Sequence, residues 1–346
     1  MILAPGVDSV GIHPFLLVLL ACGLDRLLGD PPGWPHPVVV MGWWISRLRR
    51  LAELLAGDRP WALRLGGFAI TGLLVGGSGL AGWGLEQLAR VWPALGLPLL
   101  LVGLASALAG RSLEQAVQAV LVVLPEPEAP GPLEPARQRL AWFVGRDTAD
   151  LDRAGILRAA AESASENAVD GLFGPLFWML LGAALLLAVR GHGGPGPLAL
   201  AWAYKASSTL DSMLGYRRGR LLWLGTAGAR LDDLLTWLPC RLVALGLPLA
   251  AGQPLNTWRL FRFALADGAA DPSPNAGVSQ AAYAHAVGVQ LGGANRYGGQ
   301  WRQKPLLAQG QPPADRRAIL TILALSRRLE ALWLAAALGG AWACVQ

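Results

Sequence analysis

The chain has 346 residues, of which 53% are hydrophobic and only 15% are charged, and its mean hydropathy is +0.41. A soluble domain carries about 25% charged residues, so this sequence lacks the charge to cover a water-facing globule. The net charge of +6 comes from arginines spread beside apolar stretches, as in membrane proteins with basic cytoplasmic loops. No nucleic-acid-binding motif accompanies it. We expect a membrane protein that does not bind nucleic acid.

Apolar stretches recur along the chain and predict membrane-spanning helices. About 20 apolar residues cross a bilayer, and lipid requires the backbone to be hydrogen-bonded internally, which a helix achieves. The expected spans are about 10–25, 63–85, 93–110, 171–190, 237–251 and 329–345, the first and fifth being short candidates. The polar segments between them are 26–60, 111–170, 205–236 and 262–317. The sequence therefore predicts an all-α, polytopic helical membrane protein, a single membrane domain over 1–346 with helical cytoplasmic loops that carry the site.

The strongest local motif lies just before the span expected at 171–190. On a helix, Arg158, Glu162, Glu166 and Asp170 recur every four residues and form one stripe. A solvated face with an Arg158–Glu162 ion pair would explain the same spacing. However, acidic residues at a membrane boundary are usually functional, and neighbouring carboxylates repel each other unless a cation lies among them. Carboxylates together with phosphate oxygens usually hold Mg²⁺, so the motif favours a magnesium site.

A second motif contains Lys205, which is one of only two lysines in the chain, the other being Lys304. On a helix, Lys205 would share one face with Ser208, Thr209, Ser212 and Tyr216. A lysine beside hydroxyls suits a phosphate. The alternative is a lysine that extends from an apolar helix to the interface, with hydroxyls bonded to their own backbone. No glycine-rich P-loop sequence is present, so a nucleotide would be held in another way.

Two weaker motifs follow. Asp232 and Asp233 precede an apolar segment, where they could bind a metal ion or simply cap a helix. Downstream, Asn275, Gln290 and Asn295 lie in glycine- and amide-rich segments. Such segments can bind a polar ligand through side-chain amides and exposed backbone N–H groups, although ordinary turns have the same composition.

Six ordered segments resemble one known family. They are DRLLGDPPGWPHPVVVMG, GRDTADLDRAGILRAAAESASENAVDGLFGPLFW, AYKASSTLDSMLGYR, ARLDDLLTWLP, DPSPNAG and GVQLGG..NRYGG. Together they cover roughly residues 20–300 and are similar to the CobD/CbiB family of cobalamin-biosynthesis membrane proteins, the adenosylcobinamide-phosphate synthases. The resemblance implies a bacterial inner-membrane protein with several spans and cytoplasmic active loops.

The resemblance also implies a reaction. The family joins (R)-1-amino-2-propanol, or its O-phosphate, to the f-propionate carboxylate of adenosylcobyric acid, with ATP and Mg²⁺. Because a carboxylate is a poor electrophile, ATP would first convert it to an acyl phosphate, which the amine would then attack. Expected partners are these substrates, the lipid bilayer and other membrane enzymes of the late cobalamin pathway. A non-enzymatic membrane protein, which transports or binds a corrinoid or acts in signalling, is the alternative.

With this reaction in view, the candidate residues fall into three groups. The catalytic candidates are Glu166, Asp170, Lys205 and Asp211. The substrate- or phosphate-binding candidates are Arg146, Asp147, Asn167, Ser208, Asn275, Gln290 and Asn295, of which Asn275, Gln290 and Asn295 are expected to meet the amide-bearing corrinoid. The metal-binding candidates are Glu162, Glu166, Asp170, Asp232 and Asp233.

Overall fold

The computed structural model describes residues 13–31, 33, 36–129, 131–188 and 193–343. It is an all-α membrane protein with a single short β-hairpin in its described part. The helices are α1 Pro14–Leu28, α2 Pro37–Ala56, α3 Pro60–Val91, α4 Pro93–Ala105, α5 Gly110–Val123, α6 Glu134–Ala141, α7 Arg153–Ala168, α8 Gly174–Ala188, α9 Pro197–Leu214, α10 Leu221–Leu224, α11 Thr226–Ala250, α12 Thr257–Gly268, α13 Ala276–Val287 and α14 Arg316–Ala343. The strands are β1 Leu291–Tyr297 and β2 Gln300–Leu307.

Proline begins several of these helices. Pro14, Pro37, Pro60, Pro93 and Pro197 each occupy the first turn of their helix. The fixed φ of proline suits that position, and the N–H that it lacks would have no partner inside the helix. The prolines that punctuate the sequence therefore mark where successive helices start.

Three helical stretches in the described part of the chain are long and apolar enough to cross a membrane. They are α3 (Pro60–Val91), the stretch Arg153–Ala188 that includes α7 and α8, and α11 (Thr226–Ala250). A fourth span is possible if α4 and α5, which meet at a bend of 41°, count as one. Large apolar side chains such as Phe68 and Leu80, exposed to 63% and 67%, lie along the first of these helices. Lipid would cover such side chains, which in water would form an unfavourable patch.

The helices differ in extent from the expected spans. The spans expected at 171–190 and 237–251 are only the second halves of longer helices. The span expected at 93–110 is shorter and bends into α5. α1 has 15 residues, and α14 carries Arg327, Arg328 and Glu330 along its length, so spans there stay predictions. The outer ends of three expected spans, at 10–12, 189–190 and 344–345, lie outside the described residues.

Two compact units make up the chain. Unit 1 comprises Met1–Ala109, Gly174–Leu235 and Ala336–Gln346, and unit 2 comprises Gly110–Phe173 and Thr236–Ala335.

Within unit 1, α3 packs closely against the start of α9. A Cβ atom on Gly82 would lie 2.8 Å from the carbonyl oxygen of Leu198, so only glycine permits this approach. One turn further along α3, the buried carboxylate of Glu86 accepts hydrogen bonds from the N–H groups of Gly196 at 2.8 Å and Leu198 at 2.7 Å. These N–H groups have no partner within α9, and a carboxylate also suits the positive end of its dipole. Glu86 therefore fixes the start of the helix that carries Lys205.

Within unit 2, α7 lies beside α13 and the β-hairpin. The hairpin belongs to the segment 262–317, which was expected to be a polar loop with helices; that expectation missed both strands. Tyr297 pairs with Gln300 across a two-residue turn, and Gly298 and Gly299 both have positive φ values, of 55° and 81°. Two consecutive residues with positive φ make the tight turn that joins antiparallel strands, and glycine adopts it without steric cost.

A π-helical turn, Val169–Phe173, joins α7 to α8. It begins immediately before Asp170, so the four-residue spacing of the acidic stripe is interrupted at its last member. Such single π-turns within helices occur frequently at functional sites.

Candidate active site in unit 2

Glu162 is the buried centre of a polar cluster. Its side chain is 1% exposed and forms an ion pair with Arg146, whose side chain is 6% exposed. The other carboxylate oxygen accepts the N–H of Gly292 at 2.7 Å and lies 3.9 Å from Nε of Arg158. Gly292 has a φ of +84°, and a Cβ there would lie 1.9 Å from the carbonyl oxygen of Pro305. Only glycine can therefore direct this amide at the carboxylate.

Asn295 holds the two arginines that surround Glu162. Its side-chain oxygen accepts hydrogen bonds from Arg146 at 2.8 Å and Arg158 at 3.3 Å. Asn295 is only 2% exposed, so its oxygen faces the protein and not an open surface. The geometry supports a role in orienting the arginines, whereas direct contact with a corrinoid stays a prediction without support here.

Glu166 lies one helical turn further along α7 and has different neighbours. Nε2 of Gln280, a residue 1% exposed on α13, donates a hydrogen bond to it at 2.8 Å. Lys304 on β2 acts on Glu166 electrostatically and forms an ion pair with Asp271 at 3.1 Å. Burial alone would lower the pKa of Lys304. The electrostatic attraction of Glu166 and Asp271 outweighs this effect of burial, so the pKa of Lys304 lies above its ordinary value. The lysine is therefore a cation at neutral pH.

Asp170 and Asn275 both interact with Cys240 on α11. Asp170 interacts electrostatically with Cys240, whose thiol donates to the carbonyl oxygen of Asn275 at 3.4 Å. Arg241 donates to the side-chain oxygen of Asn275 at 2.5 Å and to the carbonyl oxygen of Pro274 at 2.8 Å. Asn275 thus joins α11 to the start of α13, and it is 5% exposed.

Asp147 and Gln290 both bind backbone groups of the hairpin region. The carboxylate of Asp147 accepts the N–H groups of Gly298 and Gly299 at 3.1 and 2.7 Å. The Gly299 hydrogen bond is the main cause that lowers the pKa of Asp147, with smaller contributions in the same direction from Gly298 and Arg296 against a cost of burial. Gln290 accepts the N–H of Gly310 at 3.1 Å. Asn167, on α7, is half-buried. Phosphate or corrinoid binding by these residues stays a prediction.

The acidic stripe does not form a complete metal cage. In the described part of the chain, no three His, Cys, Asp or Glu side chains are grouped so that they could hold a metal ion. Glu162 fits Mg²⁺ poorly, because both of its oxygens already have partners. Mg²⁺ is usually bound by one or two carboxylates and by substrate phosphates. Glu166 and Asp170 therefore remain the metal-binding candidates of unit 2.

In unit 1, Lys205, Asp211 and Asp232 form a second charged group. Lys205 and Asp211 both act electrostatically on Asp232, as does the adjacent Asp233. Ser208 lies on α9 with Lys205, as expected, and is half-buried. Tyr216 lies beyond the end of that helix. The expectation that Tyr216 shares the lysine face is therefore wrong.

The hydroxyls beside Lys205 largely bond their own helix. Thr209 donates to the carbonyl oxygen of Lys205 at 2.7 Å, and Ser212 donates to that of Ser208 at 2.8 Å. For these two hydroxyls the structure supports backbone bonding, the alternative to phosphate binding.

Sequence reasoning missed Asp271, Gln280 and Lys304 as site residues. Gln280 had a detectable signal, because it is a single amide in the small, apolar segment AGVSQAAYAHAV. Lys304 was visible as one of only two lysines. Its neighbours could not be inferred, since Glu166 and Lys304 are 138 residues apart and meet only through the fold.

The chain was also compared with known proteins. The family described as "CobD/Cbib protein" matches residues 18–326. A relative named "Cobalamin biosynthesis protein CobD", from Synechocystis, is 43% identical over 93% of this chain and 88% of its own length. A relative of the same name from Chromobacterium violaceum is 40% identical over 93% and 95%. "Cobalamin biosynthesis protein CbiB" of Salmonella typhimurium is 38% identical over 92% and 93%. No solved structure matches. The chain belongs to the CobD/CbiB family.

Proposed function

We propose that this protein acts in cobalamin biosynthesis as an ATP-dependent ligase that forms an amide on a corrinoid. Its substrates are (R)-1-amino-2-propanol, or its O-phosphate, and the f-propionate carboxylate of adenosylcobyric acid. The observation that carries the proposal is the family match over residues 18–326, which includes the whole charged cluster of unit 2. The relatives' names support the pathway, and the reaction is the one that the family resemblance implies.

The reaction needs activation of a carboxylate followed by attack of an amine. An oxygen of the propionate carboxylate attacks the γ-phosphorus of ATP, and ADP leaves. The amine nitrogen of aminopropanol then attacks the acyl carbon, the phosphate leaves with its bonding electrons, and the nitrogen loses a proton. Cations must balance the charge that develops on the phosphoryl oxygens, and a nearby carboxylate must accept the proton.

The cluster of unit 2 contains groups for both requirements. Glu166 is the carboxylate that we assign to the reacting groups, because Gln280 orients it while Glu162 is already occupied by Arg146. Asp170 is a second candidate.

A second group, in unit 1, is proposed to contact Mg²⁺ or phosphate. It consists of Lys205, Asp211 and Asp232, and the lysine and the first aspartate both act electrostatically on Asp232.

We further propose that the protein lies in the bacterial inner membrane with its polar loops in the cytoplasm. The three candidate spans support a membrane location. The arginine-rich segments 111–170 and 205–236 are expected on the cytoplasmic side by the positive-inside rule, which is also where ATP is available.

The test uses the full chain in lipid nanodiscs with adenosylcobyric acid, Mg-ATP, and either aminopropanol or its phosphate. The proposal predicts a corrinoid whose mass increases by that of the amine less one water, with one ADP formed for each product molecule. Binding of the corrinoid without a new amide would instead indicate a transport or binding protein. The absence of both corrinoid binding and turnover would indicate a signalling role. Each of these two outcomes would overturn the proposed reaction.

A further inference from the structure

Lys304 interacts with two carboxylates that come from different elements. Its Nζ is 3.1 Å from Oδ2 of Asp271, whose side chain is 5% exposed. Glu166 is the other acidic neighbour, and of the charged groups around Lys304 it has the largest electrostatic effect. Asp271 and Glu166 also act on each other electrostatically, so the same lysine acts on two acids that the fold has brought near each other.

The surroundings keep both acids in place. Gln280 donates a hydrogen bond of 2.8 Å to Glu166, and Oδ1 of Asp271 accepts the N–H of Ser273 at 3.0 Å. Each carboxylate thus has one fixed hydrogen-bond donor and shares the Lys304 charge.

The residue type at position 304 is informative. Twenty-seven of the 29 basic side chains are arginines, yet a lysine occupies this position. A lysine ammonium is a compact point charge on a flexible stem, whereas a guanidinium is broad and planar. Among charged side chains, an ammonium comes nearest to a metal ion in size and is well suited to lie between two carboxylates.

We propose that Lys304 is a positioning residue that serves as the built-in cation of the Glu166–Asp271 pair and takes the role that a divalent metal ion would otherwise have there. It keeps Glu166 ordered in the absence of substrates and prevents a metal ion from binding there permanently. Magnesium then reaches Glu166 together with ATP, and no metal ion is bound to the pair before the substrates arrive.

Binding of Mn²⁺ to the full chain in detergent, followed by the electron paramagnetic resonance signal of the free ion, tests this inference without any substrate. Replacing Lys304 by an uncharged residue leaves two adjacent carboxylates, so Lys304→Met should bind Mn²⁺ at least about tenfold more tightly than the wild type. The double variant Lys304→Met/Asp271→Asn should lose this gain, because only one carboxylate remains. Lys304→Arg, which keeps the charge, should not show it.

The matched control is Arg327→Met. Arg327 pairs with the buried Glu114 at the same distance of 3.1 Å in the same unit, and this ion pair involves a single carboxylate, so Mn²⁺ binding should equal that of the wild type. An unchanged Mn²⁺ affinity in Lys304→Met, or an equal gain in Arg327→Met, would overturn the inference. If Lys304→Met does not fold, Lys304→Gln, which can still donate to Asp271, takes its place with the same expectations.

The catalytic consequence rests on the proposed function. In the ligation assay, Mg²⁺ in excess of ATP should inhibit Lys304→Met but not the wild type, since the vacant carboxylate pair now takes up the metal. A structural defect alone would lower turnover equally at all Mg²⁺ concentrations. If the wild type forms no amide, the proposed function fails, and the Mn²⁺ titration still decides the role of Lys304.

Discussion

The two lysines of this chain lie in contrasting surroundings. In unit 2, Lys304 accompanies Glu166 and Asp271, and Arg146 neutralises the neighbouring Glu162. In unit 1, Lys205 is the one lysine that acts on Asp232, which also experiences the charges of Asp211 and Asp233.

We propose that the two groups have different roles. The acids of unit 2 are largely balanced by cations of the chain itself, which suits an ordered carboxylate that acts on a substrate. Around Lys205, Arg230 and Arg217 act electrostatically on Asp233, while Lys205 acts on Asp232. We propose that this group takes up Mg²⁺ with the phosphates of ATP. The predictions below test this contrast, beginning with the largest expected effect.

Arg146→Gln should strongly destabilise unit 2, because it removes the closer of the two arginines that pair with the buried carboxylate of Glu162. Breaking such a pair costs about 3–5 kcal/mol. Thermal unfolding in detergent, compared with the wild type, measures the loss. The control is Arg327→Gln, which removes an arginine exposed to 53% from its pair with Glu114 and should cost far less. Equal destabilisation by both variants would mean that the Arg146–Glu162 pair is not the main charge balance of the cluster.

Lys205→Arg should impair the use of Mg-ATP if the ammonium contacts a phosphate. Arginine keeps the charge but presents a longer, planar group that disturbs a tight phosphoryl geometry, and we expect a loss of about tenfold in kcat/KM for ATP, roughly 1.4 kcal/mol. Lys205→Ala should lose at least as much and should affect the corrinoid less.

Steady-state kinetics with each substrate varied in turn would separate these effects. If both Lys205 variants behave as the wild type, the lysine only extends from an apolar helix to the interface. The phosphate-binding cation would then have to come from elsewhere in the chain.

Asp147→Asn should have the smallest effect and should act locally on the hairpin turn. The lowered pKa of Asp147 means that its ionised form stabilises the folded state. That contribution is fully present above the unfolded pKa of about 4 and is lost as the pH falls through the lower folded value. Hydrogen exchange of the turn amides of Gly298 and Gly299 should therefore be faster in Asp147→Asn than in the wild type between pH 6 and 8. A variant with unchanged exchange would show that the carboxylate does not hold the turn.

The sequence predicted the helical class and the residues of local motifs, because helix periodicity depends on neighbouring residues alone. Arg158 and Glu162 were placed together correctly by their spacing of four. The boundaries of the spans were less accurate, since polar segments such as 153–168 continue directly into apolar helices. Asp170 left the regular stripe because a π-turn begins beside it, and spacing does not reveal that turn.

Non-local partners explain most of what the sequence could not reveal about the site. The acidic stripe was expected to need a cation, and the structure provides Arg146 and Lys304 from two distant segments. Asn275 and Asn295 were expected to face a ligand, but both bind arginines of the chain. A polar residue in a glycine-rich segment can serve either purpose, and only the fold distinguishes them.

The central claim is that Glu166 belongs to the reaction centre of an amide-forming enzyme. The direct measurement is the rate of ATP-dependent amide formation by Glu166→Gln, with Glu114→Gln as the control, because Glu114 is a buried glutamate of unit 2 outside the proposed site. We predict that Glu166→Gln remains folded in the membrane and loses about a hundredfold in rate, roughly 3 kcal/mol of transition-state stabilisation, while Glu114→Gln retains most of its activity. Normal product formation by Glu166→Gln would contradict the claim and would make the acidic stripe a purely structural feature of α7.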